Sequence, residues 1–295
     1  MTKQKTDDFG KAYDLVLYWY ITRFCNFSCP QCVGDAIKLK DADTPEGINI
    51  DSLQKLLNSP KKIRFGISGG EPFLVKNIIE VLQEITKNHY FSMNTNLVHP
   101  RIKEMAEKID PERVSFIVAS AHMSELKRHN LLETYLSHAL LLRERGFLIR
   151  NVEVAYPFII KKVDEYRKIF ESKGLDLTFA PFIGEWKGKK YPESYTNEQF
   201  EIFRLDTKNS LVHNIHKYKG EFCIAGHSAA VIRLDGKIYP CYQIYYNLGN
   251  MDEGVNLFKD LIRCPLDTCT CPFNSYEPYM YEKAMETKAD ELVKI

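Results

Sequence analysis

The chain has 295 residues, 44% of them hydrophobic, and sets 40 Lys and Arg against 39 Asp and Glu for a net charge of +1. That length and apolar content support an ordinary buried core, while the balanced, interspersed charge excludes bulk attraction to polyanions, so no nucleic-acid partner is expected. Met1 to Lys11 is polar, and the first apolar run, Leu15 to Ile21, is too short for a signal or membrane-spanning segment; the expectation is a cytoplasmic protein with no membrane partner.

Leu15 to Ile21 is rich in aromatic and β-branched residues and predicts a strand. It leads into Cys25-Asn26-Phe27-Ser28-Cys29-Pro30-Gln31-Cys32, a C-x3-C-x2-C array. The remaining five of the eight cysteines lie between Cys223 and Cys271. Without an export signal, cysteines in two such groups point to metal or cluster ligation rather than disulfides. Three thiolates this close can hold three corners of one iron-sulfur cluster and leave the fourth iron open, as a catalytic cluster requires. A structural zinc knuckle, or three passive buried thiols, is the alternative that the octapeptide alone leaves open.

After a polar loop, Asp35 to Gly47, Asp51 is the expected N-cap of a short helix, Ser52 to Asn58. Strands are then expected at Lys62 to Ser68, His89 to Asn94, Arg113 to Ala119, Phe147 to Ala155 and Leu175 to Ala180. Between and after them come helices at Val75 to Lys87, Pro100 to Lys108, about Asn130 to Arg145, Lys162 to Ser172 and about Asn197 to His213, with Gly146 as a C-cap. Six strand-helix units in strict alternation imply a parallel sheet, either doubly wound or curved into an incomplete barrel. In both topologies chemistry gathers at the carboxyl ends of the strands.

Those ends carry suggestive residues. The three cysteines follow strand one. Ser68-Gly69-Gly70-Glu71-Pro72 follows strand two, where paired glycines permit close approach of the backbone to a ligand and Pro72 stiffens the exit. Asn94-Thr95-Asn96 and Ala119-Ser120-Ala121-His122 follow strands three and four. Each set alone reads as ordinary turn chemistry; their common position gives them weight. His122, Glu153, Tyr18 and Tyr20 are further residues that can reach such a pocket or support it from behind.

The alternation ends near Pro181. Phe182 to Tyr195 reads as loop, either a linker or a cover for the site. Ala229 to Leu234 and Lys237 to Cys241 flank Asp235-Gly236, a strong hairpin signal. A helix around Val255 to Arg263 is expected next, then Cys264, Cys269 and Cys271 in a proline-flanked loop, then an amphipathic helix from about Pro278 to Lys294 packed on the outside.

Ile21-Thr22-Arg23-Phe24-Cys25-Asn26-Phe27-Ser28-Cys29-Pro30-Gln31-Cys32 resembles the signature of the radical S-adenosylmethionine (SAM) superfamily, and Gly69-Gly70-Glu71-Pro72 resembles its second motif. Thr95-Asn96 is similar to the third-strand Thr-Asn-Gly segment, with Leu97 where glycine is usual, and Ser120 falls where the family supplies a polar contact to ribose or carboxylate. Gln31 stands at a position that is usually aromatic and packs near adenine. Cys223 to Cys241, with Gly236, follows C-x12-G-x4-C and resembles the SPASM or twitch extension.

The resemblance implies a partial (β/α)6 TIM-like barrel followed by a small cysteine-rich twitch-type module with a hairpin and helix. Its divisions are a polar segment 1–12, barrel core 13–181, linker and sixth barrel helix 182–221, auxiliary module 222–275 and C-terminal helix 276–295. It implies a SAM-binding 4Fe-4S cluster on Cys25, Cys29 and Cys32, and SAM held near Gln31, Gly69, Gly70, Glu71, Pro72, Thr95, Asn96 and Ser120. A second, auxiliary 4Fe-4S cluster takes four of Cys223, Cys241, Cys264, Cys269 and Cys271. A cysteine left over among Cys223, Cys264, Cys269 and Cys271 is either a passive thiol or a hydrogen donor to a substrate radical. The implied reaction is reductive cleavage of SAM to a 5'-deoxyadenosyl radical, which abstracts a substrate hydrogen, with electrons from a flavodoxin- or ferredoxin-type donor. Peptide epimerisation or crosslinking in ribosomal peptide maturation is the first expectation for the substrate. Small-molecule alcohol or aminocyclitol dehydrogenation is the second, and a non-catalytic zinc or cluster scaffold is the contrasting class.

Overall fold

The computed structural model describes residues 10–32, 37–38, 46–205, 219–267, 273 and 277–293. Ten strands form one sheet: β1 (Leu15–Thr22), β2 (Ile63–Gly69), β3 (Tyr90–Thr95), β4 (Val114–Ser120), β5 (Ile149–Val154), β6 (Thr178–Ala180), β7 (Ala229–Ile232), β8 (Lys237–Tyr239), β9 (Gly249–Asn250) and β10 (Gly254–Val255). Their spatial order is β10-β9-β8-β7-β1-β2-β3-β4-β5-β6. Strands β1 to β6 are all parallel, as helical crossovers require. Besides a single turn at Gln54–Leu57, the helices are α1 (Ile78–Asn88), α2 (Arg101–Lys108), α3 (Met123–Arg128), α4 (Leu132–Glu144), α5 (Val163–Glu171), α6 (Asn197–Phe203) and α7 (Pro278–Val293). The sheet stays open, giving the incomplete barrel that six alternating units predict.

Strand β1 is buried on both faces. Leu15, Leu17, Trp19 and Ile21 join the main core with α1 residues such as Ile78 and Leu82, whereas Val16 packs in a second cluster with Ile224, Val231, Met280 and Ala284. Two-sided burial explains why the strand reads as a continuous apolar run rather than an alternation.

Several local expectations need correction. The cap of the short helical segment Ile50–Leu57 is Asn49, whose side chain accepts from the Asp51 N–H, rather than Asp51 itself. The helix expected from about Asn130 to Arg145 is α4, and the left-handed Asn130, φ +57, separates it from the preceding short helix α3, which the sequence reading did not include. Phe182 to Tyr195 is not plain loop: Gly184–Trp186 pairs antiparallel with Lys189–Tyr191. The described part of the sixth helix ends at Phe203, where Arg204 turns left-handed, and 206–218 lie outside the described residues. Val255 to Arg263 is not helical. Asn256 and Phe258 donate instead to Leu248 O and Gly226 O, and Ile262–Arg263 pairs with Phe222–Cys223, so tertiary partners claim the amides a helix would use.

The predicted hairpin is present, but it is not detached from the barrel. Strand β7 lies parallel against β1, in register from Val16↔Ala229 to Trp19↔Ile232, and β8 turns back from it at Gly236, φ +78. Helix α7 packs against the far face of β1 through Met280 and Ala284. Glu277, just before it, is buried and bonds Arg64 of β2, Tyr13 and Tyr18. Tyr18 is thereby committed to this inner network rather than to a pocket.

Candidate active site

The loop bearing the first three cysteines is fixed by the motif after β2. Gly70 N–H donates to Thr22 O at 2.7 Å and Glu71 N–H to Phe24 O at 2.8 Å. A Cβ on Gly69, at φ +137, would lie 2.3 Å from Thr22 O, and one on Gly70 would lie 2.0 Å from Phe24 O. The close approach that demands glycine is therefore to the chain's own backbone entering the cysteine loop. Both glycines still border the cavity described below.

Glu71 points inward and is wholly buried. Its carboxylate accepts from Phe73 N at 3.1 Å, Thr95 Oγ1 at 2.8 Å and Asn96 N at 2.8 Å. Burial pushes its pKa up to about 7 against the opposing pull of these bonds. It couples the ends of β2 and β3, and neither it nor the buried Pro72 borders the cavity. Asn96 continues the chain of contacts by donating its Nδ2 to Asn26 Oδ1 at 2.7 Å, within the cysteine loop.

A second grip comes from α3. Glu125, buried, accepts from Ser28 N at 2.9 Å and pairs with Arg128 at 2.5 Å. Phe27 stacks on His129 and meets the His122 ring edge-on. Glu153 in turn holds the start of α3 by accepting from Met123 N at 2.6 Å, and burial pushes its pKa up to about 7.

These elements enclose a cavity of about 1390 Å³ at the carboxyl ends of the strands. Cys25, Cys29 and Cys32 share its wall with Gly69 and Gly70; Thr95, Asn96 and Ser120 line it from β3 and β4. Tyr20 and His122 also face it. His122 sits at a left-handed φ of +32, its Nδ1 has no partner, and burial drives its pKa down to about 4, so the imidazole is neutral. Gln31 is elsewhere. It is buried beside a separate cavity of about 330 Å³ that Glu125, Glu153 and Tyr156 also line, and its Oε1 lacks a partner. Leu97, where the resemblance expects glycine, is fully buried at φ +62.

The donor set fits an iron-sulfur cluster. Burial raises the Cys25 thiol to about 11 and the Cys29 thiol further, and nearby carboxylates and the neighbouring cysteines add to both shifts. Thiols so disposed stay protonated unless a bound cation supplies the opposing charge. Phe27 N–H already points at Cys25 Sγ, 3.4 Å away, the kind of bond that tunes a cluster. Among the described residues, no three His, Cys, Asp or Glu side chains are drawn together around one ion-sized point; the thiols share a cavity wall instead.

In the C-terminal part, Cys223 ends one strand of a short antiparallel ribbon and Cys264 directly follows the other, with Cys264 N–H bonding Glu221 O at 2.9 Å. Ala225 N and Gln243 N point at Cys223 Sγ and Cys241 Sγ, at 3.5 and 3.4 Å, repeating the pattern seen at Cys25. The Cys241 thiol is raised by burial, with Cys264 among its neighbours. Cys269 and Cys271 lie outside the described residues. Sequence reasoning missed Glu125 and Asn26 as supports of the cysteine loop. It also missed Arg23, Arg233, Tyr239 and Tyr242 as cavity wall. For the last three the available signal was their place after a strand that joins β1, which sequence does not display.

Known proteins carry the same architecture. A solved structure of anSMEcpe with bound AdoMet and Cp18Cys peptide superposes with a TM-score of 0.53 at 17% identity, covering 82% of this chain and 78% of that one. Streptococcus suis SuiB bound to precursor peptide SuiA gives 0.53 at 15%, covering 80% of this chain and 62% of SuiB. These likenesses show the fold. An uncharacterized protein of Methanocaldococcus jannaschii is 29% identical over 98 residues, which are 30% of this chain and 34% of that protein. The family model described as the radical SAM superfamily matches residues 19–171, from the middle of β1 through the cysteine loop and the first five strands to the end of α5, so the chain belongs to the radical SAM superfamily.

Proposed function

We propose that this radical SAM enzyme modifies a peptide, by epimerisation or crosslinking, and carries an auxiliary 4Fe-4S cluster besides the cluster that serves SAM. When bound, the family's cluster and SAM supply a 5'-deoxyadenosyl radical that takes a hydrogen atom from substrate. The chain's part is to hold and screen. Cys25, Cys29 and Cys32 hold the cluster, Glu125 and the Gly69-Gly70 turn keep their loop in place, and Thr95, Asn96 and Ser120 offer hydrogen bonds to SAM.

The observation that carries the peptide reading is the size of the cavity. About 1390 Å³ exceeds the roughly 300–1,000 Å³ typical of small-molecule sites, and leaves room for a chain segment beside SAM. The peptides present in the anSMEcpe and SuiB structures agree with that reading. For the auxiliary cluster the support is the repeated N–H to sulfur geometry at Cys223 and Cys241, with Cys264 near Cys241. A flavodoxin- or ferredoxin-type protein would supply the electrons, and the division into barrel 13–181 and auxiliary region 222–275 is part of the same proposal.

Anaerobic reconstitution tests it. The protein should be brown with about eight irons, form 5'-deoxyadenosine from SAM and reductant, and transfer deuterium from a labelled peptide. A colourless zinc protein with no 5'-deoxyadenosine sinks the enzyme reading; transfer only from alcohols or aminocyclitols moves the substrate to small molecules. Substituting Cys223, Cys241, Cys264, Cys269 and Cys271 singly by Ala sorts the thiols. Loss of auxiliary iron marks a ligand, and unchanged iron without product marks a hydrogen donor.

A further inference from the structure

Arg233 directly follows β7, the strand that runs parallel beside β1. It therefore emerges at the same strand end as the cysteine loop, and it borders the same cavity. Its guanidinium lies 4.6 Å from the ring centroid of Tyr239 and 4.3 Å from that of Tyr245, while Nη2 donates to Tyr242 O at 3.0 Å. Tyrosine faces and a carbonyl fix the plane of the group without neutralising it. Among the described residues no carboxylate pairs with Arg233; the adjacent Asp235 is engaged by Lys237 at 3.5 Å.

A half-buried arginine held in one orientation, with no carboxylate partner among the described residues and with the Cys241 sulfur as a neighbouring group, has the form of an oxyanion fork. The apolar surface around it belongs to the same hairpin. Leu234 and Tyr242 border the cavity and are 47% and 41% exposed, and Tyr245 and Tyr246 beyond them are 74% and 59% exposed. Exposed tyrosines around a fixed cation are the composition of a recognition surface rather than of an ordinary turn.

We propose that Arg233 anchors the substrate through a carboxylate, which accepts hydrogen bonds from the guanidinium, with Leu234 and Tyr242 covering the apolar group beside that carboxylate. The inference rests on the reading that the large cavity receives the substrate. Carboxylate is the shared chemistry of three sources: a peptide C-terminus, an acidic peptide side chain and a small organic acid. The anchor would orient the substrate from the hairpin side while the radical arises beside the cysteine loop, a division of labour in which remote binding energy positions the reacting carbon.

Binding to the iron-loaded protein with SAM and no reductant tests it. The probes are hydroxyphenylacetate, the capped tripeptide Ac-Gly-Gly-Tyr as free acid, and Ac-Gly-Glu-Gly-Tyr as C-terminal amide, each against its uncharged amide counterpart. The expected result is that at least one acid binds about tenfold more tightly than its amide, which also identifies the source. Arg233→Gln should abolish that preference and Arg233→Lys should keep only part of it. Iron content and melting temperature report whether each variant is folded. Tyr245→Leu, at an exposed position, removes one stacking face without touching the fold and should lower the preference by a smaller factor. Equal binding of every acid and amide, or a preference that survives in Arg233→Gln, overturns the proposal. Formation of 5'-deoxyadenosine by the wild type reports on the radical reading independently of either result.

Discussion

Gly70 lies so close to the carbonyl of Phe24 that a Cβ there would meet the oxygen at 2.0 Å. Backbone cannot yield as a flexible side chain can, so Gly70→Ala must push the Phe24–Cys25 segment away. The expected outcome is a loss of about 1–3 kcal/mol of stability together with poor loading of iron on the first cluster. Iron per chain and a denaturant melt check both; full iron loading in Gly70→Ala would show that the loop position is not set here.

Glu71 and Glu153 give the fold a pH dependence of a specific sign. Both carboxyls are raised by burial to about 7 from 4.5. Between those values the folded chain holds protons that the unfolded chain has released, so stability falls as pH rises from about 4.5 to 7 and levels off above. Each group contributes at most about 1.4 kcal/mol per pH unit. Glu71→Gln and Glu153→Gln should each flatten the slope of stability against pH, measured by urea unfolding from pH 5 to 8.

Leu97 inverts the usual ranking of alanine and glycine. At φ +62 a residue with a Cβ pays about 1–2 kcal/mol, while losing the buried isobutyl group costs about 2–5 kcal/mol in either variant. Leu97→Gly should therefore be destabilised, yet less than Leu97→Ala. Thermal denaturation of the pair decides; alanine the more stable of the two would refute the assignment of backbone strain.

Arg64 and Glu277 form a buried ion pair, with side chains 3% and 4% exposed. Removing one partner strands the other charge, so Glu277→Ala should cost about 3–5 kcal/mol. Replacing both with Leu should recover much of that loss. Guanidinium unfolding of the single and double variants measures the recovery.

The barrel was legible because parallel strands buried on both faces read as short continuous apolar runs while amphipathic helices carry a helical period, and because Cys25, Cys29 and Cys32 are local in sequence. Positions of the cavity-lining residues Thr95, Asn96 and Ser120 followed from the strand-end rule. What was hidden is what depends on distant pairing. The β7–β1 ladder that delivers Arg233, the bond from Glu125 to Ser28 and the inward turn of Glu71 have no sequence periodicity. The helix expected at Val255 to Arg263 shows the converse: a local expectation is overruled when Leu248 and Gly226 present carbonyls to the amides of Asn256 and Phe258.

Tyr13, Tyr18 and Arg64 all bond Glu277, across 264, 259 and 213 residues of sequence. During synthesis these groups leave the ribosome long before their acceptor does, at about 5–20 residues per second. For that interval of roughly ten seconds or more, the face formed by Tyr13, Tyr18 of β1 and Arg64 of β2 presents a buried-to-be arginine and two phenols without their carboxylate. The strand that introduces the cysteine loop thus matures in two stages, one face early against α1 and the other only on arrival of Glu277. Iron delivered between those stages would meet a loop whose supporting strand is still half solvated, so timing of metallation becomes a property written into the topology.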